Sequence, residues 1–237
     1  KRAVIASEDA AFTEHGGVEW EAIERAWERN QRAEARAQQR NQQSDSGRPP
    51  VVPKVVGDST ITQQLAKNLF LSGERTPVRK AQELALTLAL EACLSKRRIL
   101  EIYLNEVEWG ENIYGIEAAG RFYFDKHATE LTKAEAALLA GMLPSPRYYN
   151  PYKRMDKARK RQEQVLFNMF QAKLMTQDEY GQAMDASVTL REASSRRFDL
   201  SMLSSGSSRP CHLRALEEIL LEHIGEQGLY RRGIRIR

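Results

Sequence analysis

Apolar residues recur along this chain with a helical period, in segments divided by capping and turn residues. Residues 3–6 are apolar and lead into Ser7-Glu8-Asp9, where Ser7 or Asp9 suits the N-cap of a following helix. Between residues 18 and 27, Val18, Trp20, Ala22, Ile23, Ala26 and Trp27 fall at the spacing of an amphipathic helix. The period then fails. Residues 28–53 are rich in Gln, Arg, Asn and Ser and end near Gly47-Arg48-Pro49-Pro50, a composition too polar to bury enough surface to order itself. This stretch reads as a mobile polar insertion, in the form of a charged helix end followed by a disordered segment.

Helical spacing returns from Ser59 or Thr60 to Phe70, and again over residues 77–94, where Pro77 suits a first helical turn. Leu84, Leu86, Leu88, Leu90 and Leu94, with alanines between them, put apolar groups around most of that circumference and predict a central buried helix. Further helices are predicted over residues 99–107, closed by Gly110, and over 113–124. Thr132 and Glu135 form a capping box before an apolar run that ends at Pro144. Leu166, Met169, Phe170 and Leu174 mark another helix, and Thr176 caps a short one after it. Beyond residue 187 the pattern changes to a Ser-rich linker, a helical stripe over 213–224 and a strand-like tail. The expectation is a mainly α domain over 1–190, followed by a linker, helix and strand-like tail over 191–237.

Composition narrows the class only a little. The chain has 237 residues, 41% of them hydrophobic, and a net charge of +4. That supports a sizeable core and suits an anionic ligand or membrane surface, but not the concentrated basic face of a nucleic-acid binder. The two cysteines, Cys93 and Cys211, make neither a disulfide framework nor a metal spacing. Cys93 reads as a buried small residue. No stretch approaches the roughly 20 apolar residues that span a bilayer, and a transmembrane anchor is expected upstream, outside this chain.

Candidate chemistry gathers in two places. Gly57-Asp58-Ser59-Thr60-Ile61-Thr62-Gln63-Gln64-Leu65-Ala66-Lys67-Asn68 concentrates hydroxyls, amides and a lysine, with Arg75, Arg79, Lys80 and Glu83 close behind. Upstream stand Glu8 and Asp9, with Phe12, His15 and Gly17. Taken alone, Glu8-Asp9 reads more simply as a helix cap, since capping is so common. Paired acids can remove a proton from an attacking hydroxyl, and cations between them can stabilise an anionic leaving group.

Three strings, Glu8-Asp9-x-x-Phe12-x-x-His15-x-Gly17, Gly57-x-Ser59-Thr60-Ile61-Thr62-Gln63-Gln64-x-x-Lys67-Asn68 and Arg79-Lys80-x-x-Glu83, resemble the first three motifs of the peptidoglycan glycosyltransferases, glycosyltransferase family 51. Lys96-x-x-Ile99-Leu100-x-x-Tyr103-Leu104-Asn105 resembles the fourth, and Ala136-x-Leu138-Leu139-Ala140-Gly141-x-Leu143-Pro144 the fifth. The resemblance covers residues 3–152. It implies a lysozyme-like α fold with a large head lobe and a small membrane-facing jaw, and polymerisation of lipid II into β-1,4 glycan strands with release of undecaprenyl pyrophosphate.

By this resemblance Glu8 is the general base and Glu83 the second acid, near the donor pyrophosphate. Lys67 and Arg75 hold phosphates, and Arg79 and Lys80 add positive charge. Ser59, Thr60, Gln63, Gln64 and Asn68 line the donor side, while Asp9, Phe12 and His15 support the site, His15 as a structural hydrogen-bonder. It allows a divalent ion, Mg2+ or Mn2+, beside Glu83, and calls for no organic cofactor. The implied partners are lipid II, the growing glycan strand, the bacterial inner membrane on its periplasmic face and other cell-wall synthesis proteins, with no nucleic acid. A monofunctional enzyme and the glycosyltransferase domain of a bifunctional penicillin-binding protein both fit. Two departures stand out: Asp58 occupies a position where the family carries a small residue, and the polar segment 28–53 lengthens the jaw region. A lysozyme-like hydrolase and a non-catalytic cell-wall scaffold remain alternatives.

Overall fold

A computed structural model describes residues 1–43, 59–71 and 76–192. Over these the chain is mainly α, as the pattern predicts. Helix α1 covers Arg2–Glu8, α2 Trp20–Gln43, α3 Ile61–Phe70, α4 Pro77–Cys93 and α5 Lys96–Glu106. A small hairpin of β1, Glu108–Gly110, and β2, Ile113–Tyr114, follows. After it come α6, Ile116–Phe124, α7, Lys133–Met142, α8, Met155–Gln171 and α9, Gln177–Asp185. Arg75, Asp58, Cys211, residues 44–53 and the tail from 193 onward lie outside the described residues.

Local chemistry sets most of the helix starts. Thr60, Thr132 and Thr176 each close a capping box with the residue three positions on: Gln63, Glu135 and Glu179. Thr76 and Ser95 cap α4 and α5 by accepting from the backbone of Arg79 and Arg98. Neither Ser7 nor Asp9 stands at the start of the next helix in sequence: Ser7 lies inside α1 and Asp9 just past its end.

Three expectations change. The helix predicted over 18–27 starts at Trp20 and runs on to Gln43, so the charged helix end expected of the polar insertion continues the same helix. Its two tryptophans face solvent, each 66% exposed. The helix predicted over 113–124 starts only at Ile116, because β2 pairs Tyr114 with Glu108 and Ile113 with Gly110. Third, α4 is not the central buried helix. It buries only a stripe (Glu83, Leu86, Thr87 and Leu90), while Leu88 is 50% exposed. Ala81, Ala85 and Ala92 make up part of its exposed face, and a small apolar side chain is little penalised in water. The most enclosed helix is α7, buried from Ala134 to Met142 except at Ala136.

One core joins these parts. Helix α7 packs on α1 and α8, α3 packs on α4 and α5, and Phe12, Ile61, Leu65, Ile99, Tyr103, Trp109, Tyr123 and Leu138 are all fully enclosed in it. At the α7–α8 crossing, a Cβ on Gly141 would lie 3.0 Å from Arg161 Cβ and 3.1 Å from its carbonyl carbon, so the glycine sets how closely the helices approach. After α9 the chain runs back over α6. The Arg191 N–H donates to the Tyr123 carbonyl at 2.8 Å, and the Tyr152 hydroxyl donates to the Arg191 carbonyl at 2.9 Å. Cys93 is a free thiol, only half-buried.

Candidate active site

Helix α1 delivers Glu8 to its C-terminal end, beside the first turns of α3. The Glu8 carboxylate is half-buried, and Gln64 Nε2 donates to its Oε2 at 3.1 Å. The Ser7 hydroxyl stands 3.4 Å from Oε1. Burial pushes the Glu8 carboxyl above the ordinary carboxylate range. The bond from Gln64, the charge of Arg161 on α8 and the Ser7 hydroxyl pull it down, and neighbouring Asp9 pushes it up. A carboxylate with raised proton affinity that is still reachable from solvent can serve as a general base.

Asp9 is buried and acts as scaffold. Its Oδ2 accepts the Ile61 N–H at 3.0 Å, so it caps α3 from a distant point in the chain, where the helix dipole favours a negative charge. Its Oδ1 meets His15 Nε2 at 2.8 Å. His15 Nδ1 accepts the Gly17 N–H at 3.1 Å, which places the ring proton on Nε2, facing Asp9. The Gly17 carbonyl in turn accepts the Thr60 hydroxyl at 2.6 Å. This closes a ring from Asp9 through His15, Gly17 and Thr60 back to the start of α3. His15 is therefore the structural hydrogen-bonder expected, and Phe12 is a core residue with no exposure. The Lys96 ammonium sits 4.6 Å over the Phe12 ring and 2.8 Å from Glu91, which also accepts the Thr62 hydroxyl at 2.5 Å.

The polar run divides by helix geometry. Helix α3 buries Ile61, Thr62, Gln63, Leu65, Ala66, Leu69 and Phe70, and leaves Gln64, Lys67 and Asn68 on one stripe, as a period of 3.6 requires. Lys67 and Asn68 are exposed one turn beyond Gln64. That fits their expected place as ligand-facing groups. Thr60 and Gln63 do not line a ligand surface. Both are buried, and their side chains are used up in the capping box, with Gln63 Oε1 accepting the Thr60 N–H at 3.1 Å. Gln64 is half-buried and also committed: Nε2 donates to Glu8 and to the Ser59 carbonyl, each at 3.1 Å, and Oε1 accepts the Tyr103 hydroxyl at 2.8 Å.

Glu83 is buried on α4 and held by cations of the same helix. Arg79 Nη1 lies 3.3 Å from its Oε2, and Lys80 Nζ pairs with its Oε1. The two acids share no partner among the described residues: Glu8 looks to α3, Glu83 to its own helix. Arg79 Nε is buried without an acceptor among the described residues, a donor left over beside this cluster. A divalent ion at Glu83 fits poorly, since both carboxylate oxygens already hold cations. No three His, Cys, Asp or Glu side chains cluster in metal-ligating fashion among the described residues.

Two residues at this site escaped the sequence reading of its roles. Tyr103 stood within the fourth motif but carried no assigned part. Arg161 gave no signal at all, since it sits in a basic run of α8 that resembles any solvated face.

A family model described as Transglycosylase matches residues 50–170. A biosynthetic peptidoglycan transglycosylase of Bordetella pertussis is 54% identical over 153 residues, 65% of this chain and 57% of that protein. Its counterpart in Nitrosospira multiformis is 45% identical over 174 residues, covering 73% of this chain and 68% of its own length. The chain belongs to the transglycosylase family. It spans a little over half the length of the Bordetella relative, 57%. Among solved structures, penicillin-binding protein 1A of Haemophilus influenzae aligns over 59% of this chain and 19% of its own, at 28% identity and a TM-score of 0.40.

Proposed function

We propose that this transglycosylase polymerises lipid II, and that Glu8 is the base of the reaction. The observation that carries the reading is the setting of Glu8: a half-buried carboxylate with raised proton affinity, oriented by Gln64, one helical turn from the exposed Lys67. An acceptor sugar's 4-hydroxyl is a weak nucleophile and needs a base. As its oxygen bonds to the donor's anomeric carbon, the proton passes to Glu8. The bond from that carbon to the phosphate oxygen breaks on the opposite face, which inverts the centre and releases undecaprenyl pyrophosphate. The leaving group needs positive charge more than a proton. Lys67 and Lys80, both exposed, are available to supply it.

The reading places the chain on the outer face of the bacterial cytoplasmic membrane, with the lipid-linked donor and the growing strand as its partners. Trp20 and Trp27, a heptad apart on α2 and both open to solvent, suit the headgroup level of a bilayer, where amphipathic rings gather. No helix among the described residues is long and apolar enough to cross it. The test is incubation of the purified chain with lipid II and, separately, with finished glycan. Growth of polymer from lipid II is expected. Release of disaccharide from finished glycan, without polymer growth, would establish a hydrolase in its place.

A further inference from the structure

Tyr103 is fully enclosed in the core, so it cannot touch a sugar or a phosphate. Its hydroxyl nevertheless ends 2.8 Å from Gln64 Oε1, and Gln64 Nε2 lies 3.1 Å from Glu8 Oε2. The Ser59 carbonyl takes the second Nε2 proton at 3.1 Å. Two of the carboxamide's three partners, both acceptors, thus require this orientation, and the Tyr103 hydroxyl can donate to it. Turned over, its oxygen would face the Glu8 carboxylate and the Ser59 carbonyl, two acceptors with nothing to donate. Glu8 and Ser59 fix which end points outward, and Tyr103 anchors the other end.

We infer that Tyr103 is a positioning residue for the Glu8 base, acting through Gln64. The inference rests on the reading of Glu8 as the base. Donation from Tyr103 satisfies and polarises the amide oxygen, which strengthens the N–H that Gln64 offers to Glu8. That bond fixes one carboxylate oxygen and favours the ionised form. Burial and the charges of Glu8 and Asp9 raise the proton affinity of Tyr103, so it remains a donor throughout the working range of the enzyme. Without the hydroxyl, Gln64 Oε1 loses its partner, the side chain is held only through Nε2, and its bond to Glu8 weakens. The other charged groups bearing on Glu8 are Arg161 from α8 and the adjoining Asp9, while Gln64 and Tyr103 bond to each other, to Glu8 and to the Ser59 carbonyl.

The experiment is a kcat and KM profile against pH for lipid II polymerisation by wild type, Tyr103→Phe, Gln64→Met and the double variant. Tyr103→Phe removes one oxygen and keeps the ring. The expected result is a kcat lower by on the order of tenfold, the worth of one buried hydrogen bond, with little change in KM. The acid limb of kcat moves to higher pH, because Glu8 now ionises less readily. Gln64→Met moves the limb the same way, and this arm stands even where Tyr103→Phe is too unstable to assay. Adding Tyr103→Phe to Gln64→Met costs little more, since the two act in series. An unmoved acid limb in either single variant, or fully additive losses in the double, overturns the inference while leaving the proposed reaction intact. A wild-type chain that forms no polymer from lipid II overturns both.

Discussion

Replacing Asp9 by Asn changes one atom of a buried side chain and sets the whole ring of bonds at the start of α3 against itself. Asp9 accepts from two donors, the Ile61 N–H and His15 Nε2. Asn has one oxygen. If that oxygen takes Ile61, the new NH2 group faces His15 Nε2. The imidazole must then give up its proton there and carry it on Nδ1, where it meets the Gly17 N–H head-on. If the oxygen takes His15, the NH2 group faces the Ile61 N–H. Each arrangement forfeits at least one bond and removes the charge at the helix N-terminus. A hydrogen bond to a charged group contributes about 1.5–3 kcal/mol, and the charge–dipole contribution adds about 0.3–1 kcal/mol or more when buried. Asp9→Asn is therefore expected to destabilise the fold by roughly 2–4 kcal/mol. For a domain of this size that lowers Tm by about 4–16 °C, at roughly 2–4 °C per kcal/mol. Asp9→Ala should cost at least as much. Urea unfolding followed by circular dichroism measures it, with the m-value checked for constancy. A loss below about 0.5 kcal/mol, the range of an ordinary surface change, would refute the claim that the ring holds α1 and α3 in register.

Three other outcomes follow from the geometry. Glu8→Gln should lower polymerisation by about 10²–10⁴-fold, the usual worth of a general base, while the fold survives. Its stability effect has a definite sign. Burial holds the folded pKa of Glu8 above its unfolded value of 4.5, so stability falls as pH rises through that window, and the charged form is the costly one. Glu8→Gln should then melt no lower than wild type at pH 7, and the difference should vanish below the unfolded pKa; a lower melting temperature at pH 7 would contradict it. Gly17→Ala should destabilise by about 2–4 kcal/mol, because Gly17 has φ +84° and a Cβ there would lie 2.7 Å from both Glu91 Cγ and Thr87 Cγ2. Thermal melts check it. Lys67→Ala, on an exposed position of α3, should leave the melt within about 0.5 kcal/mol and weaken lipid II turnover; equal kcat/KM for the two proteins would remove Lys67 from the site.

What the sequence disclosed depends on whether the determining interactions were local. The capping boxes at Thr132 and Thr176 lie within four residues and were legible as written. The hairpin at 108–114 was not, because strands of two and three residues are too short to show a period of two. Gln63 and Gln64 make the same point within one helix. They are identical and adjacent, and the motif resemblance assigned both to the donor side. A step of about 100° along the helix turns Gln63 under Thr60 and leaves Gln64 at the edge, between Tyr103 and Glu8. Glu83 shows the same limit in charge. Its place in the chain marked it as an acid for the donor site, and the nearby Arg79 and Lys80 read as separate cations. The fold joins the three into one buried cluster on α4, whose chemistry is that of cations held in place by a carboxylate. An acid so fully engaged is better suited to fixing Arg79 and Lys80 for an anionic leaving group than to moving a proton, and of the two acids Glu8 is the one that suits the proposed role of base.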